Sequence, residues 1–139
     1  MASGVAIVTG ATQAMGEAIA TRLGVDGWRI ITVGRGRSRG EAVVSRLRDA
    51  GVDARFAPAD LTTEPAIAAV VAETVEWFGR LDLVVNNAAA LDADSAESPA
   101  DKEPTEVFDL VLKVGLYAPF WFTKYAVPHM IRRDRKSVV

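Results

Sequence analysis

The chain has 139 residues, 50% of them hydrophobic and 24% charged, which fits one domain with a single core and excludes a disordered polypeptide. With no cysteine and one histidine, disulfides, thiolate metal sites and histidine-rich metal centres are excluded, and a net charge of −2 gives no electrostatic reason to expect nucleic acid or an anionic membrane as partner. No apolar run approaches the roughly 18 residues needed to span a bilayer, and the start, Met1 to Gly4, lacks the charged and apolar regions of a secretion signal, so a cytoplasmic protein is expected.

Short apolar runs alternate with helical segments, the pattern of βαβ units around a parallel sheet. Val5 to Thr9 is a run of strand formers closed by Gly10. From about Met15 to Leu23 the spacing Met15, Ala18, Ile19, Leu23 predicts a helix with those residues inward. Gly24 and Gly27 are read as breaking it before a second strand, Trp28 to Val33. Arg39 to Ala50 reads as a helix with Val43, Val44 and Leu47 inward and Gly51 as its stop. A third strand covers Ala54 to Ala57.

The next helix has clear signals: Thr62 or Thr63 as cap, Glu64 at the positive end of the dipole, Pro65 in the first turn, and Gly79 as terminator. Ile67, Val70, Val71, Thr74 and Phe78 form its expected inner stripe, and Leu81 to Val85 reads as a fourth strand buried on both faces. Ala89 to Glu103 is polar and acidic and reads as a loop. A long helix follows from about Pro104, with Phe108, Val111, Leu112 and Gly115 on one side and Pro119 and Pro128 as points of kinking or interruption. Arg132 to Lys136 is a basic cluster, and Ser137 to Val139 looks like the start of a fifth strand.

The chemical signal lies between the first strand and the first helix, where Thr9 to Gly16 reads Thr-Gly-Ala-Thr-Gln-Ala-Met-Gly. A tight glycine turn into a helix N-terminus aims backbone amides at a pyrophosphate. Turns of this kind also arise for packing alone. The spacing resembles the Thr-Gly-x-x-x-Gly-x-Gly turn of the short-chain dehydrogenase/reductase family, and further likenesses follow in order. Asp60 and Leu61 fall where that family contacts adenine, and Asn86-Asn87-Ala88-Ala89 resembles its Asn-Asn-Ala-Gly. Phe108 to Leu116, with Ala118 to Phe120, resembles the helix that carries a catalytic asparagine in the family, and Pro128 to Met130 fits its approach to the fifth strand.

The resemblance implies an α/β fold, a Rossmann-type doubly wound parallel sheet truncated at or near the start of its fifth strand, with residues 1–139 as one partial dinucleotide-binding domain. It implies a cofactor-binding set of Gly10, Thr12, Gln13, Met15 and Gly16 in the turn, Arg35 after the second strand, Asp60 and Leu61 after the third, and Asn86 and Ala88 after the fourth. Gly34-Arg35-Gly36-Arg37 has a basic residue where an acidic one would select NAD, so NADP is the expected cofactor. The alternative reading is that Arg35 and Arg37 are solvated loop charges.

Departures from the family cluster near the cofactor. Ala14 replaces the middle glycine of the turn, Ala89 the glycine after Asn-Asn-Ala, and Gly115 the catalytic asparagine. Glycine offers no side-chain amide, so Gly115 has no functional equivalence to asparagine. The family's serine and Tyr-x-x-x-Lys have no match: Tyr117 is followed four residues on by Trp121 and Tyr125 by His129. No catalytic residue is therefore assigned. His129 reads as a capping or surface histidine, Arg132 to Lys136 as a solvated turn, and the irregular spacing of Asp92, Asp94, Glu97, Asp101 and Glu103 matches no metal loop.

Three functions stay open on these residues: a nucleotide binder without turnover, derived from an NADP(H)-dependent alcohol/carbonyl oxidoreductase; a fragment of an active one; or a non-enzymatic scaffold. An exposed fourth strand and the apolar groups Leu116, Phe120, Trp121 and Phe122 lead to the expectation of a homo-oligomer through the open sheet edge and the long helix.

Overall fold

The computed structural model describes residues 4–90 and 98–133. Asp92, Asp94 and Glu97, the triplet Ser137 to Val139 and most of the Arg132 to Lys136 cluster lie outside the described residues. The elements run β1 (Val5–Thr9), α1 (Ala14–Val25), β2 (Arg29–Gly34), α2 (Arg37–Asp49), β3 (Ala54–Pro58), α3 (Glu64–Phe78), β4 (Leu83–Val85), α4 (Thr105–Leu112), a π-turn (Lys113–Tyr117) and α5 (Ala118–Arg133). The strands form one parallel sheet in the order β3-β2-β1-β4. This is the expected Rossmann-type α/β architecture.

Strand alternation divides the core into two layers. Val5 and Ile7 of β1, with Ile31 and Val33 of β2, face α3 and α5 and meet Ile67, Val70, Val71, Phe122 and Ala126. Ala6 and Val8, with Ile30, face the other way and meet Ala20 of α1 and Val43, Val44 and Leu47 of α2. Every residue of β1 is buried, as a central parallel strand requires.

Local signals hold where backbone chemistry decides. Gly79 ends α3 at φ 70° and Gly51 follows α2 at φ 82°, both left-handed. Thr63 is the N-cap of α3 and Pro65 sits in its first turn, yet neither threonine caps with its side chain. Both turn back to Asp60: the Thr62 hydroxyl and amide donate to its carboxylate at 2.7 and 3.0 Å, and the Thr63 hydroxyl donates to its carbonyl at 3.4 Å.

Several sequence expectations are corrected. In α1 Ile19 and Leu23 pack half-buried against the core as expected and Gly16 and Ala20 are buried, but Met15 is 70% exposed and Ala18 is exposed too; the first turn faces the cleft rather than the core. Gly24 does not break α1 but lies within it, where a Cβ would come 2.6 Å from Val52 Cγ1. The fourth strand is shorter than expected and half-buried throughout, because it is the sheet's edge and no further strand covers it among the described residues. On α3, Phe78 is only partly buried: the Arg29 and Arg55 guanidinium groups lie over its ring at 5.1 and 5.4 Å.

The long helix also differs. Its side with Phe108, Val111 and Gly115 faces outward, and α4 buries no residue. Pro119 has no N–H for the Gly115 carbonyl and its ring would crowd that group; the chain widens into the π-turn immediately before it. At Pro128 the helix runs on without interruption.

Candidate functional site

The parallel strands end together; the crossovers through α1 and α2 cover one face of the sheet, and the crossover through α3 to β4, on the other side of β1, covers the opposite face. A crevice opens there, outside the carboxyl ends of the strands, the usual ligand position in this architecture. The cleft has a volume of about 760 Å³.

Its floor is the turn after β1. Gly10 has φ 64°, its amide donates to the Val33 carbonyl at 2.9 Å, and a Cβ on it would come within 2.9 Å of Ala88 Cα. Gly16 is tighter: a Cβ would stand 2.2 Å from the Gly10 carbonyl oxygen, so the helix seats on the turn only with glycine there. The N-cap of α1 is Gln13, extended at φ −166°, and it supplies no side-chain cap. The first-turn amides and the positive end of the helix dipole are thus left for an anion in the cleft. Thr12 packs over Gly34, whose Cβ would come 2.5 Å from Thr12 Cγ2.

One alanine stands against this geometry. Ala14 has φ 49°, the left-handed region that disfavours a side chain, and it lines the cleft. Its backbone thus keeps a left-handed angle that a glycine would adopt without strain.

The roof and rims come from the other strands. Arg35 follows β2, Asp60 and Leu61 follow β3, and Ala88 follows β4, and all four line the same cleft. Gly10, Thr12, Gln13, Met15 and Gly16 line it too. Asn86 does not: it is exposed and outside the lining, while the next residue, Asn87, faces in. The Thr62 hydroxyl and amide hold the Asp60 carboxyl below the usual carboxylate range, with Arg35 and Lys113 adding attraction across space. Arg37 lies outside the lining and reaches Glu41 on its own helix at 3.7 Å.

Asn87 is the residue that sequence reasoning missed. Its side-chain amide donates to the carbonyls of Thr9 and Gly10 at 3.1 and 3.3 Å. In return the Thr9 hydroxyl accepts from the amides of Asn87 and Ala88 at 3.1 and 3.0 Å and donates to the Val85 carbonyl at 3.3 Å. This buckle locks the end of β4 onto the glycine turn. The repeated asparagine was visible in the sequence, but nothing local says which of the pair turns inward.

The comparisons agree with this geometry. The short chain dehydrogenase family model matches residues 4–139. The chain belongs to the short-chain dehydrogenase family. A 3beta-hydroxysteroid dehydrogenase of Mediterraneibacter gnavus is 38% identical over 104 residues, 74% of this chain and 38% of that protein. A metagenomic short-chain oxidoreductase crystallised with NADP superposes with a TM-score of 0.87 at 32% identity, covering 95% of this chain and 58% of that one. An actinorhodin polyketide ketoreductase variant crystallised with NADPH also has a TM-score of 0.87, at 34% identity, covering 97% of this chain and 51% of that one. This short-chain dehydrogenase chain thus spans about half the length of the relatives it matches.

Away from the cleft, the short-chain dehydrogenase positions of interest are otherwise engaged. Gly115 lies exposed on the π-turn with open space where a Cβ would stand. The Tyr125 hydroxyl donates to Glu64 at 2.8 Å, and that bond, first among the causes, moves its pKa upward. Tyr117 stacks obliquely on Trp121 at 5.5 Å. His129 is half-buried inside α5 rather than at an end.

Proposed function

We propose that residues 1–139 bind NADP(H) in the cleft as the dinucleotide half of an oxidoreductase acting on alcohol or carbonyl groups, and that by themselves they bind it without turnover. The observation that carries the reading is the uncapped N-terminus of α1 held against the Gly10–Gly16 contact, a cradle for a pyrophosphate. Gly10, Thr12, Gln13, Met15 and Gly16 would hold the phosphates, Arg35 the adenosine 2′-phosphate, Asp60 and Leu61 the adenine, and Ala88 the nicotinamide side. In this geometry Asn87, rather than Asn86, meets the cleft.

A bound nicotinamide supplies or accepts hydride. The proton that accompanies it needs an acid or base beside the reacting oxygen, with a pKa tuned for the task. Among the described residues none fills that role: Tyr125 is committed to Glu64 with its pKa moved the unhelpful way, and Gly115 has no amide to hold a water. Titration with NADPH, read by its fluorescence, should saturate, while no ketone is reduced by this polypeptide alone. A wild-type chain that binds neither NADPH nor NADH would overturn the binding reading, and measurable ketone turnover would overturn the rest.

The share of the relatives' length that the chain spans favours a second reading, in which the same residues serve an active NADP-dependent enzyme whose serine and Tyr-x-x-x-Lys lie elsewhere in a longer polypeptide. Sequencing the gene past Val139 separates the two.

The same chain is expected to self-associate. Phe108, Val111, Leu116, Tyr117 and Phe120 are exposed along α4, the π-turn and the start of α5, and β4 is an edge. A second copy of this chain would cover both. Sedimentation should show a dimer or larger species that Phe120→Asp weakens; a wild-type monomer at high concentration would refute it.

A further inference from the structure

Two guanidinium groups share one rim of the cleft. Arg35 stands directly after β2, and Arg39 stands in the first turn of α2. The cap of α2 is Gly36, without a side-chain bond, and no acidic residue occupies its first turn. Asp60 is the only carboxylate among the described lining residues, and Thr62 already satisfies it. The rim therefore has excess positive charge, with a helix dipole adding to it.

Arg39 does not float there. Its Nη1 donates to Gln13 Oε1 at 3.2 Å, spanning from α2 to the N-cap of α1. Gln13 offers a neutral acceptor, so it orients the guanidinium without cancelling its charge. A carboxylate in its place would quench the cation. A guanidinium has five donors, so Arg39 keeps most of them for an incoming dianion, and a phosphate oxygen is a stronger acceptor than an amide oxygen.

We propose that Arg39, positioned by Gln13, is the second ligand of the adenosine 2′-phosphate, and that the Arg35–Arg39 pair sets the preference for NADP(H) over NAD(H). Arg37 has no part in it, since it pairs with Glu41 outside the cleft. This inference rests on the dinucleotide reading of the cleft and adds to it a specificity residue and a positioning residue.

The test is a set of fluorescence titrations with NADPH and with NADH on the 139-residue chain and on Arg35→Ala, Arg37→Ala, Arg39→Ala, Arg39→Lys and Gln13→Ala. Losing one charge-assisted contact should weaken NADPH about tenfold in Arg39→Ala, while NADH stays within about twofold because it has no phosphate to lose. Arg39→Lys should recover part of the loss, and Arg37→Ala should match the wild type. Gln13→Ala should weaken NADPH by about threefold, and the salt dependence of NADPH binding should flatten in Arg39→Ala but not in Gln13→Ala. Arg39 is exposed, so its variants should fold, and circular dichroism checks this. Equal losses for NADPH and NADH, or no loss for NADPH, would overturn the inference while leaving the cleft a dinucleotide site. A wild type that binds neither coenzyme overturns both.

Discussion

Phe120 and Phe122 stand two residues apart on α5 and meet opposite fates: the first is 61% exposed, the second 1%. The same contrast divides the molecule. The sheet with α1, α2 and α3 forms a closed structure around the fully buried β1, whereas α4 and the start of α5 touch it along one side only. The anchoring falls in α5, where Ala118, Phe122 and Ala126 enter the core and Lys124 and Tyr125 reach Glu64 of α3 at 2.6 and 2.8 Å. Burial on one helix is therefore decided by the underlying surface and not by hydrophobicity.

Substitutions at the two phenylalanines sharpen this contrast most. Phe122→Ala should cost about 3–5 kcal/mol of folding stability in urea denaturation, the range for an emptied core aromatic. Phe120→Ala should stay within about 0.5 kcal/mol in the same experiment on a dissociated chain. Equal costs would mean that the exposed face is covered in the folded unit.

Next in size is the closed region's tightest joint. Gly16→Ala places a methyl against backbone, which cannot rotate away, and should lower stability by about 1–3 kcal/mol together with the affinity for NADPH. Its neighbour runs the other way. Ala14→Gly relieves the left-handed strain at φ 49° but loosens the unfolded chain, and the balance should be a gain of about 0.5 kcal/mol. A clear loss would show that the Ala14 methyl is doing packing that the backbone angle hides.

The smallest effect tests the clamp between α3 and α5. Hydrogen bonds from Lys124 and Tyr125 hold the Glu64 carboxyl below its ordinary value of 4.5. Because the folded pKa is depressed, the contribution to stability is complete above about pH 4.5 and is lost as pH falls through the lowered value. Thermal melts of Glu64→Gln should therefore lie below wild type at neutral pH and converge with it in acid. The difference is small because the pair is solvated.

What the sequence made legible followed from the backbone. The first three strands, the left-handed glycines after α2 and α3, and the glycine spacing of the turn are all local, and all are where expected. What it hid depended on partners far along the chain. Met15 has the right spacing for a core face, but the first turn of α1 overhangs a cleft. Gly24 reads as a breaker until Val52 is found against it. Asn87 could be distinguished from Asn86 only through contacts with Thr9 and Gly10, 78 and 77 positions away. Among the cations, Arg37 and Arg39 look interchangeable in sequence, and only the fold pairs one with Glu41 and the other with Gln13.

The buckle between Thr9 and Asn87 has a mechanical consequence. β4 holds only three residues in the sheet, so it has little ladder of its own to resist being peeled from β1. At its carboxyl end, though, the peel would have to break the same bonds that hold the glycine turn in shape. Fraying of β4 and collapse of the glycine turn are thus one event, and amide hydrogen exchange at Val85 and Asn87 should report on the integrity of both.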